Sequence, residues 1–249
     1  MAIGMEETHD SADKFKGLNL KASIEAWGRR VFPAHAAPSN KALGGTSGGV
    51  LVAPALGLQL APMSLKENGN VNCKGEDWSA VVIRAQGVSY VFLCAYFIHT
   101  IGPVGPNLKR LTAIATFLIN TGLPFIVAAD WNMVPKQLLG SGFLDLVSGD
   151  IRACENVEYT CNSGRNIDYI VVKRSFSSAV RSVRTSSITP WEAHKGLEIE
   201  VSERPLKTHD VCMVEPVSMV DELSVMKTKD ERPALDTVGD VNVEYKCVQ

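Results

Sequence analysis

Apolar residues recur along this chain with two different spacings. Leu20, Ile24 and Trp27 stand at helical intervals behind Asn19, so the segment reaching Arg30 is expected to be a helix with Asn19 as its N-cap. A second helix is expected in "GPNLKRLTAIATFLINTG". Pro106 opens it, Leu108, Leu111, Ile114, Ala115 and Leu118 form one face, and Gly122 follows its end. The remaining apolar runs are short and rich in β-branched and aromatic residues. "SAVVIRAQGVSYVFLCAYF" places two such runs around "AQG" and reads as a hairpin. "LPFIVAAD", "NIDYIVVK", "SAVRSVRT" and "GLEIEVS" read as further strands, and residues 2–5 as the end of one. The glycine-rich "GGTSGGVLVAP" is expected to turn into a strand at 50–53, with a short strand at 57–60 pairing with it.

Strands alternate with helices, yet the hairpins require antiparallel neighbours. The expected fold class is therefore α/β, a layered sandwich with mixed sheets. No internal repeat is present. Periodicity holds as far as residue 214, the expected end of the folded domain. From 215 to 249 it fades and charge rises, as in "KTKDERPALDTVGD", which reads as a flexible tail.

Composition adds limits rather than an answer. Of 249 residues, 45% are hydrophobic and 21% charged, an ordinary balance for a globular core. The formal net charge is -2. A protein that coats a duplex is usually basic, so contact with nucleic acid would need a local patch or bridging metal ions. The six cysteines, Cys73, Cys94, Cys154, Cys161, Cys212 and Cys247, form no C-x-x-C pair, and several sit in strand-like runs. Reduced thiols in an intracellular setting, nuclear or cytoplasmic, are expected. "MAIGMEETHD" has neither a basic nor an apolar leader segment, so secretion is not expected. The longest apolar stretch, "VSYVFLCAYFI", is too short to span a bilayer.

The informative feature is where the polar residues fall. Glu7 follows "AIGM", Tyr96 ends "VFLCA", Asp130 and Asn132 end "LPFIVAA", Asp168 interrupts "GRNIDYIVV", and His194 lies in "WEAHKGL". Loops at one edge of a layered sandwich can converge on a cleft. Carboxylates, an amide and a histidine gathered there suit phosphate-ester chemistry, which needs a cation, an oriented water and a donor to the developing oxyanion.

The segments "GMEETH", "YF", "ADWNMVP", "GFLDL", "NIDYIVV" and "WEAHKGL" follow one another in the order of the endonuclease/exonuclease/phosphatase superfamily. That superfamily has patterns near Q-E-T, N-x-Y, G-D-F-N, I-D-Y and S-D-H. The resemblance spans residues 3–202, and "DWNMVP…GSGF" is most similar to the retroelement endonuclease branch. It implies a four-layer α/β sandwich with two mixed, largely antiparallel sheets packed between helices. It implies Mg²⁺, with Mn²⁺ as a substitute, DNA as substrate, and a place beside a reverse transcriptase in a longer polyprotein. By the same resemblance Glu7 binds metal, Asp130 orients or deprotonates water, and Asn132 positions the phosphate. Tyr96 hydrogen-bonds near the scissile phosphate, and Asp168 and His194 form an Asp–His pair. No protein partner is implied.

The chain departs from the family pattern in three places. The family strand that carries an asparagine upstream of the glutamate is expected to be missing, because Met1 stands only six residues before Glu7. Ala193 replaces the aspartate before the histidine, and Glu6 replaces glutamine. Two other readings therefore stay open: an inactive relic or binding module of the same fold, and a phosphatase or a phospholipid or inositol-phosphate phosphoesterase. Singly, each site residue also has a plainer reading. Glu7 could be a first-turn helix acid, Asp130 and Asn132 turn formers, and Tyr96 a strand aromatic. Asp168 could be the surface partner of Arg165 or Arg174, and His194 a loop histidine. His9, His35, His99 and His209 read as structural or solvated.

Overall fold

The computed structural model describes residues 2–6, 8, 11, 19–38, 46–61, 74–75, 77–85, 88–186 and 194–202. Within them the fold is mixed α/β with several sheets. The strands in chain order are β1 (Ala2–Glu6), β2 (Phe32–Ala34), β3 (Ala37–Pro38), β4 (Thr46–Ser47), β5 (Val50–Pro54), β6 (Lys74–Gly75), β7 (Trp78–Ala85), β8 (Val88–Tyr96), β9 (Phe125–Asp130), β10 (Gly149–Arg152), β11 (Asp168–Lys173), β12 (Val180–Thr185) and β13 (Leu197–Val201). The helices are α1 (Leu20–Ala26), α2 (Pro106–Thr121), α3 (Pro135–Gly140) and α4 (Phe143–Val147). The tail 215–249, Glu7 and Ala193 lie outside the described residues.

The main sheet has six strands in the order β10-β11-β9-β8-β7-β6. Its central strands read as continuous apolar runs because both faces are covered. The hairpin expected around "AQG" is β7–β8, paired antiparallel from Trp78↔Ala95 to Ala85↔Val88. β8 and β9 are parallel. Parallel neighbours need a long crossover, and α2 supplies it. α2 lays Leu111, Ile114, Phe117 and Leu118 on one face of the sheet, against Val82, Val91, Leu93 and Val127. Each such side chain contributes about 1.5–3 kcal/mol when removed from water. On the opposite face Val50 and Val52 of the three-stranded sheet β1-β5-β2 meet Val81, Ile83 and Cys94. The β12–β13 ribbon packs on that face too, with Val180 and Val183 against Ile126, Ile170 and Val172.

Three sequence expectations need correction. Residues 57–60 do not pair with β5, because β1 and β2 occupy both of its edges. Leu60 bridges Ile83 instead, beside β7. The first helix stops at Ala26 because Gly28 takes φ +72°, and Trp27 is 75% exposed rather than packed. Asn19 does stand at its N-cap, but its side chain makes no capping bond. On α2, Leu108 is 48% exposed, while Asn107 and Arg110 are buried. Both polar groups have partners inside. Asn107 Nδ2 donates to the carbonyls of Ile98 and Gly102, both at 2.9 Å, and Arg110 pairs with buried Asp77.

Candidate active site at three strand ends

β8, β9 and β11 are neighbours in the sheet, and each ends or begins on a polar residue followed by an aromatic one. Asp130 is in register with Tyr96 on one side and with Asp168 on the other. Successive residues in a strand face opposite ways. The residues that follow are Phe97, Trp131 and Tyr169, and these three stack on the far face. Phe97 and Trp131 lie 5.0 Å apart between ring centroids, and Trp131 and Tyr169 lie 5.4 Å apart, each with 12° between planes. Trp131 Nε1 donates to the Tyr169 carbonyl at 3.0 Å. The aromatic stack thus fixes the register of three polar side chains on the opposite face. This explains why a tryptophan separates Asp130 from Asn132.

Beyond the strand, Asn132 takes φ +48°, a left-handed conformation that asparagine tolerates better than most residues. That turn brings the Asn132 backbone N–H to Asp130 Oδ1 at 3.0 Å and its amide Nδ2 to Asp130 Oδ2 at 2.8 Å. Nδ2 also donates to the Phe97 carbonyl at 3.0 Å. Both amide hydrogens are committed, so Asn132 braces Asp130 against β8. Asp168 is set by Thr160, whose hydroxyl accepts from the Ile167 and Asp168 N–H groups at 3.2 and 3.0 Å.

His194 lies across an isolated bridge from Cys161. Its Nδ1 stands 3.1 Å from both oxygens of Asp168. The hydrogen bond to Asp168 lifts the imidazole pKa to about 9, against the opposing effect of burial and with help from the charges of Asp168 and Asp130. At neutral pH His194 is a cation whose Nδ1 proton is held by Asp168 and whose Nε2–H is left to donate. Arg165 and Arg174 do not pair with Asp168. Arg174 pairs with Asp150 at 3.1 Å, and Arg165 meets His99.

A further acid reaches this group from the three-stranded sheet. Ala2, Gly4 and Glu6 alternate onto the face of β1 that meets the main sheet, and Gly4 lies against Cys94. Two residues on, the Glu6 carboxyl sits near Asp130 and Asp168. Its pKa is raised well above the usual range, first by burial and then by those two charges, with a hydrogen bond from the Asp130 backbone opposing. Glu7, to which the resemblance assigns the metal, lies outside the described residues; Glu6, a carboxylate that could also bind metal or repel the phosphate, is brought near the site.

Ligand atoms of Asp130, Asp168 and His194 all lie within 4.8 Å of one another, a grouping that could hold a metal ion. The crowding of three acids fits a cation, because their mutual repulsion raises the cost of the metal-free charged state. Asp130 and Asp168 are the anionic donors of that set, and His194 Nδ1 is engaged by Asp168.

Comparison of the whole fold with solved structures decides its class. The 3'-5' exonuclease NExo from Neisseria meningitidis superposes with a TM-score of 0.51 at 15% identity, covering 81% of this chain and 89% of that one. The endonuclease domain of TRAS1, a telomere-specific non-LTR retrotransposon, gives 0.52 at 12% identity, with 81% and 99% covered. An endonuclease/exonuclease/phosphatase family protein from Leptotrichia buccalis gives 0.52 at 12%, with 81% and 87% covered. The chain has the endonuclease/exonuclease/phosphatase fold. No protein-family model matches its sequence, and no curated protein is similar to it in sequence.

Within this endonuclease/exonuclease/phosphatase fold, the hydrogen-bonded pairs Asp130–Asn132 and Asp168–His194 lie side by side, with ligand atoms of Asp130, Asp168 and His194 within 4.8 Å of one another. Tyr96 is buried beside them among Val81, Ile83 and Cys94. Sequence reasoning missed the His99–Arg165 contact and the Asp77–Arg110 pair, which join residues 66 and 33 positions apart without any local motif.

Proposed function

We propose that this chain is a divalent-metal-dependent phosphodiesterase that cleaves DNA in the manner of a retroelement endonuclease. The observation that carries the reading is the cationic Asp168–His194 pair beside the braced Asp130. Asp130 takes a proton from water as the water oxygen bonds to phosphorus and the bond from phosphorus to the leaving oxygen breaks. His194 Nε2–H donates to the charge that builds on the non-bridging oxygens, and Asp168 keeps that proton in place. Asp130, Asp168 and Glu6 would hold the metal, Mg²⁺ or Mn²⁺, which supplies neutralisation of the phosphate charge. The likeness to a TRAS1 endonuclease domain and to a Neisseria 3' phosphatase bound to a product DNA hairpin supports DNA as the substrate. No helix among the described residues is long and apolar enough to cross a membrane. An intracellular place of action, nuclear or cytoplasmic, is part of the same proposal. The same reading makes the architecture four-layered.

The test is nicking of supercoiled plasmid by the purified chain with Mg²⁺, beside an EDTA control and His194→Ala. Nicking that requires both metal and His194 is the expected result. A folded chain that nicks nothing, or one that nicks equally without His194, overturns the proposal. Release of phosphate from a 3'-phosphorylated strand in place of nicking would move the activity to a monoesterase on DNA.

A further inference from the structure

One side of the acid group carries a set of cations that the chemistry above does not use. Arg165 Nη2 lies 2.7 Å from His99 Nε2. A guanidinium only donates, so the imidazole nitrogen accepts, and Arg165 keeps its full charge. Among the described residues Arg165 has no carboxylate partner; its Nε donates to Ser163 Oγ at 3.1 Å. Both groups are presented by braced turns. His99 sits in a loop where Thr100 takes φ +72° and Gly102 φ +64°, and Asn107 pins both Ile98 and Gly102. A non-glycine residue in that conformation costs on the order of 1 kcal/mol and persists only where its surroundings hold it. Arg165 closes a turn in which Gly164 N–H donates to the Cys161 carbonyl at 2.9 Å and the Thr160 and Cys161 N–H groups donate to the Arg165 carbonyl at 3.1 Å.

The placement relative to the reacting group is set by the backbone. Cys161 bridges Arg165 on one side and His194 on the other. Arg165 and His194 are thus two strand spacings apart, on the order of 10 Å. The next residue, Lys195, donates its N–H to the Thr160 carbonyl at 2.8 Å and holds Nζ 4.1 Å from the ring centroid of Tyr159. Tyr159 as a residue is 41% exposed, with Lys195 Nζ over one face of its ring. A small phosphate ester would be fully engaged by the acid group and His194. A second cation, presented two strand spacings from His194 with a partly exposed tyrosine nearby, suits a chain of phosphates that carries bases.

We propose that Arg165, supported by His99, binds a second phosphate of a polynucleotide strand, and that Tyr159 with Lys195 forms a stacking platform for a flanking base. This rests on the phosphodiesterase reading and narrows its substrate to a strand several nucleotides long. It also supplies local positive charge in a chain of net charge -2.

The test is fluorescence anisotropy of a labelled 12-nucleotide single strand in EDTA, between 50 and 200 mM salt, so that binding is read without cleavage. Arg165→Ala is expected to weaken binding roughly tenfold and to reduce the slope of log affinity against log salt by about one. Arg165→Lys is expected to keep that slope, and Tyr159→Leu to weaken binding with the slope unchanged. Competition by inorganic phosphate is expected to be the same in wild type and Arg165→Ala. Unchanged affinity and slope in Arg165→Ala and in Arg165→Glu overturn the proposal, as does equal loss of affinity for phosphate and for the strand. Binding that follows these expectations in a chain that nicks nothing leaves this inference standing and removes the phosphodiesterase reading.

Discussion

Asn132 holds both carboxylate oxygens of Asp130, one through its backbone N–H and one through its side-chain amide. Because the same amide also bonds to the Phe97 carbonyl, Asp130 is tied to the end of β8 as well as to its own strand. Losing one preorganised group of this kind commonly costs about 10²–10³ in rate. Asn132→Gly and Asn132→Ala are both expected to slow cleavage by about that factor. Glycine accepts φ +48° without strain, so it should leave the fold about 1 kcal/mol more stable than alanine does. Matched rates with separated stabilities, read by nicking assays and urea unfolding, are the expected pair of results. A rate lost only in the less stable variant would assign the effect to folding.

The His194 charge gives a pH expectation. Its folded pKa of about 9 is raised above the unfolded value near 6.5. Its contribution to stability is therefore complete below about pH 6.5, declines between the two values, and is gone once pH has risen past about 9. Cleavage should fall later, around pH 9, where the folded chain loses the imidazolium. NMR titration of the ring should give an apparent value near 9 in the wild type and one closer to 6.5 in Asp168→Asn. An unmoved titration in that variant would mean that Asp168 does not hold the proton.

The three strand ends were legible in the sequence because each joins a buried apolar run to a polar residue, as in "VFLCAY", "FIVAAD" and "NIDYIVV". Their convergence follows from the register of neighbouring strands, which periodicity cannot give but the order of motifs implied. The failures lie where tertiary contacts, not local spacing, decide. Asn107 and Arg110 face the core because partners outside the helix satisfy them, so polar residues in the helix pattern misplaced the apolar face toward Leu108. The strand expected at 57–60 had the right composition but no free edge on β5. Glu6 was legible as an acid but not as an inward one; the alternation that puts Gly4 against Cys94 carries it toward Asp130 and Asp168.

Arg110 and Asp77 form a buried pair, and Asp77 also accepts from the Gly49 N–H at 2.8 Å. Removing one partner leaves the other charge uncompensated, at a cost of about 3–5 kcal/mol. Arg110→Met should lose that much in urea unfolding. Because Asn107 braces the loop bearing His99 and contacts Arg110 at 3.4 Å, the loop should also exchange its amide hydrogens faster. A loss under 1 kcal/mol would show that water reaches Asp77.

Crowding of Glu6 against Asp130 and Asp168 predicts how metal acts on stability. A carboxyl whose folded pKa is raised adds stability at low pH that is lost as pH rises through that value. Glu6→Gln should therefore raise the melting temperature of the metal-free chain at neutral pH. Mg²⁺ at a hundredfold its dissociation constant should stabilise the wild type by about 2.7 kcal/mol, and the variant by less at the same concentration. Equal metal effects in a thermal melt would exclude Glu6 from the metal's surroundings.

Gly4 is where β1 crosses the main sheet, and a Cβ there would lie 1.9 Å from Cys94 Sγ and 3.3 Å from Cys94 Cβ. No rotamer of alanine relieves such a contact, so either the thiol must turn away or β1 must lift. Cys94 is fully buried among Val50, Val52 and Val81, which leaves the sulfur little room. Overpacking of this kind costs about 1–3 kcal/mol. Gly4→Ala should destabilise the chain by that amount and, by lifting β1, draw Glu6 away from Asp130. Cys94→Ala removes the sulfur and leaves the longer contact, so Gly4→Ala with Cys94→Ala should recover most of the loss attributable to Gly4→Ala. A double-mutant cycle in urea unfolding should then give a coupling of about 1 kcal/mol or more. The metal-induced shift in melting temperature should shrink in Gly4→Ala and return in the double variant. Additive losses, with no return of the metal effect, would mean that β1 does not lie on Cys94 and that Glu6 reaches the site some other way.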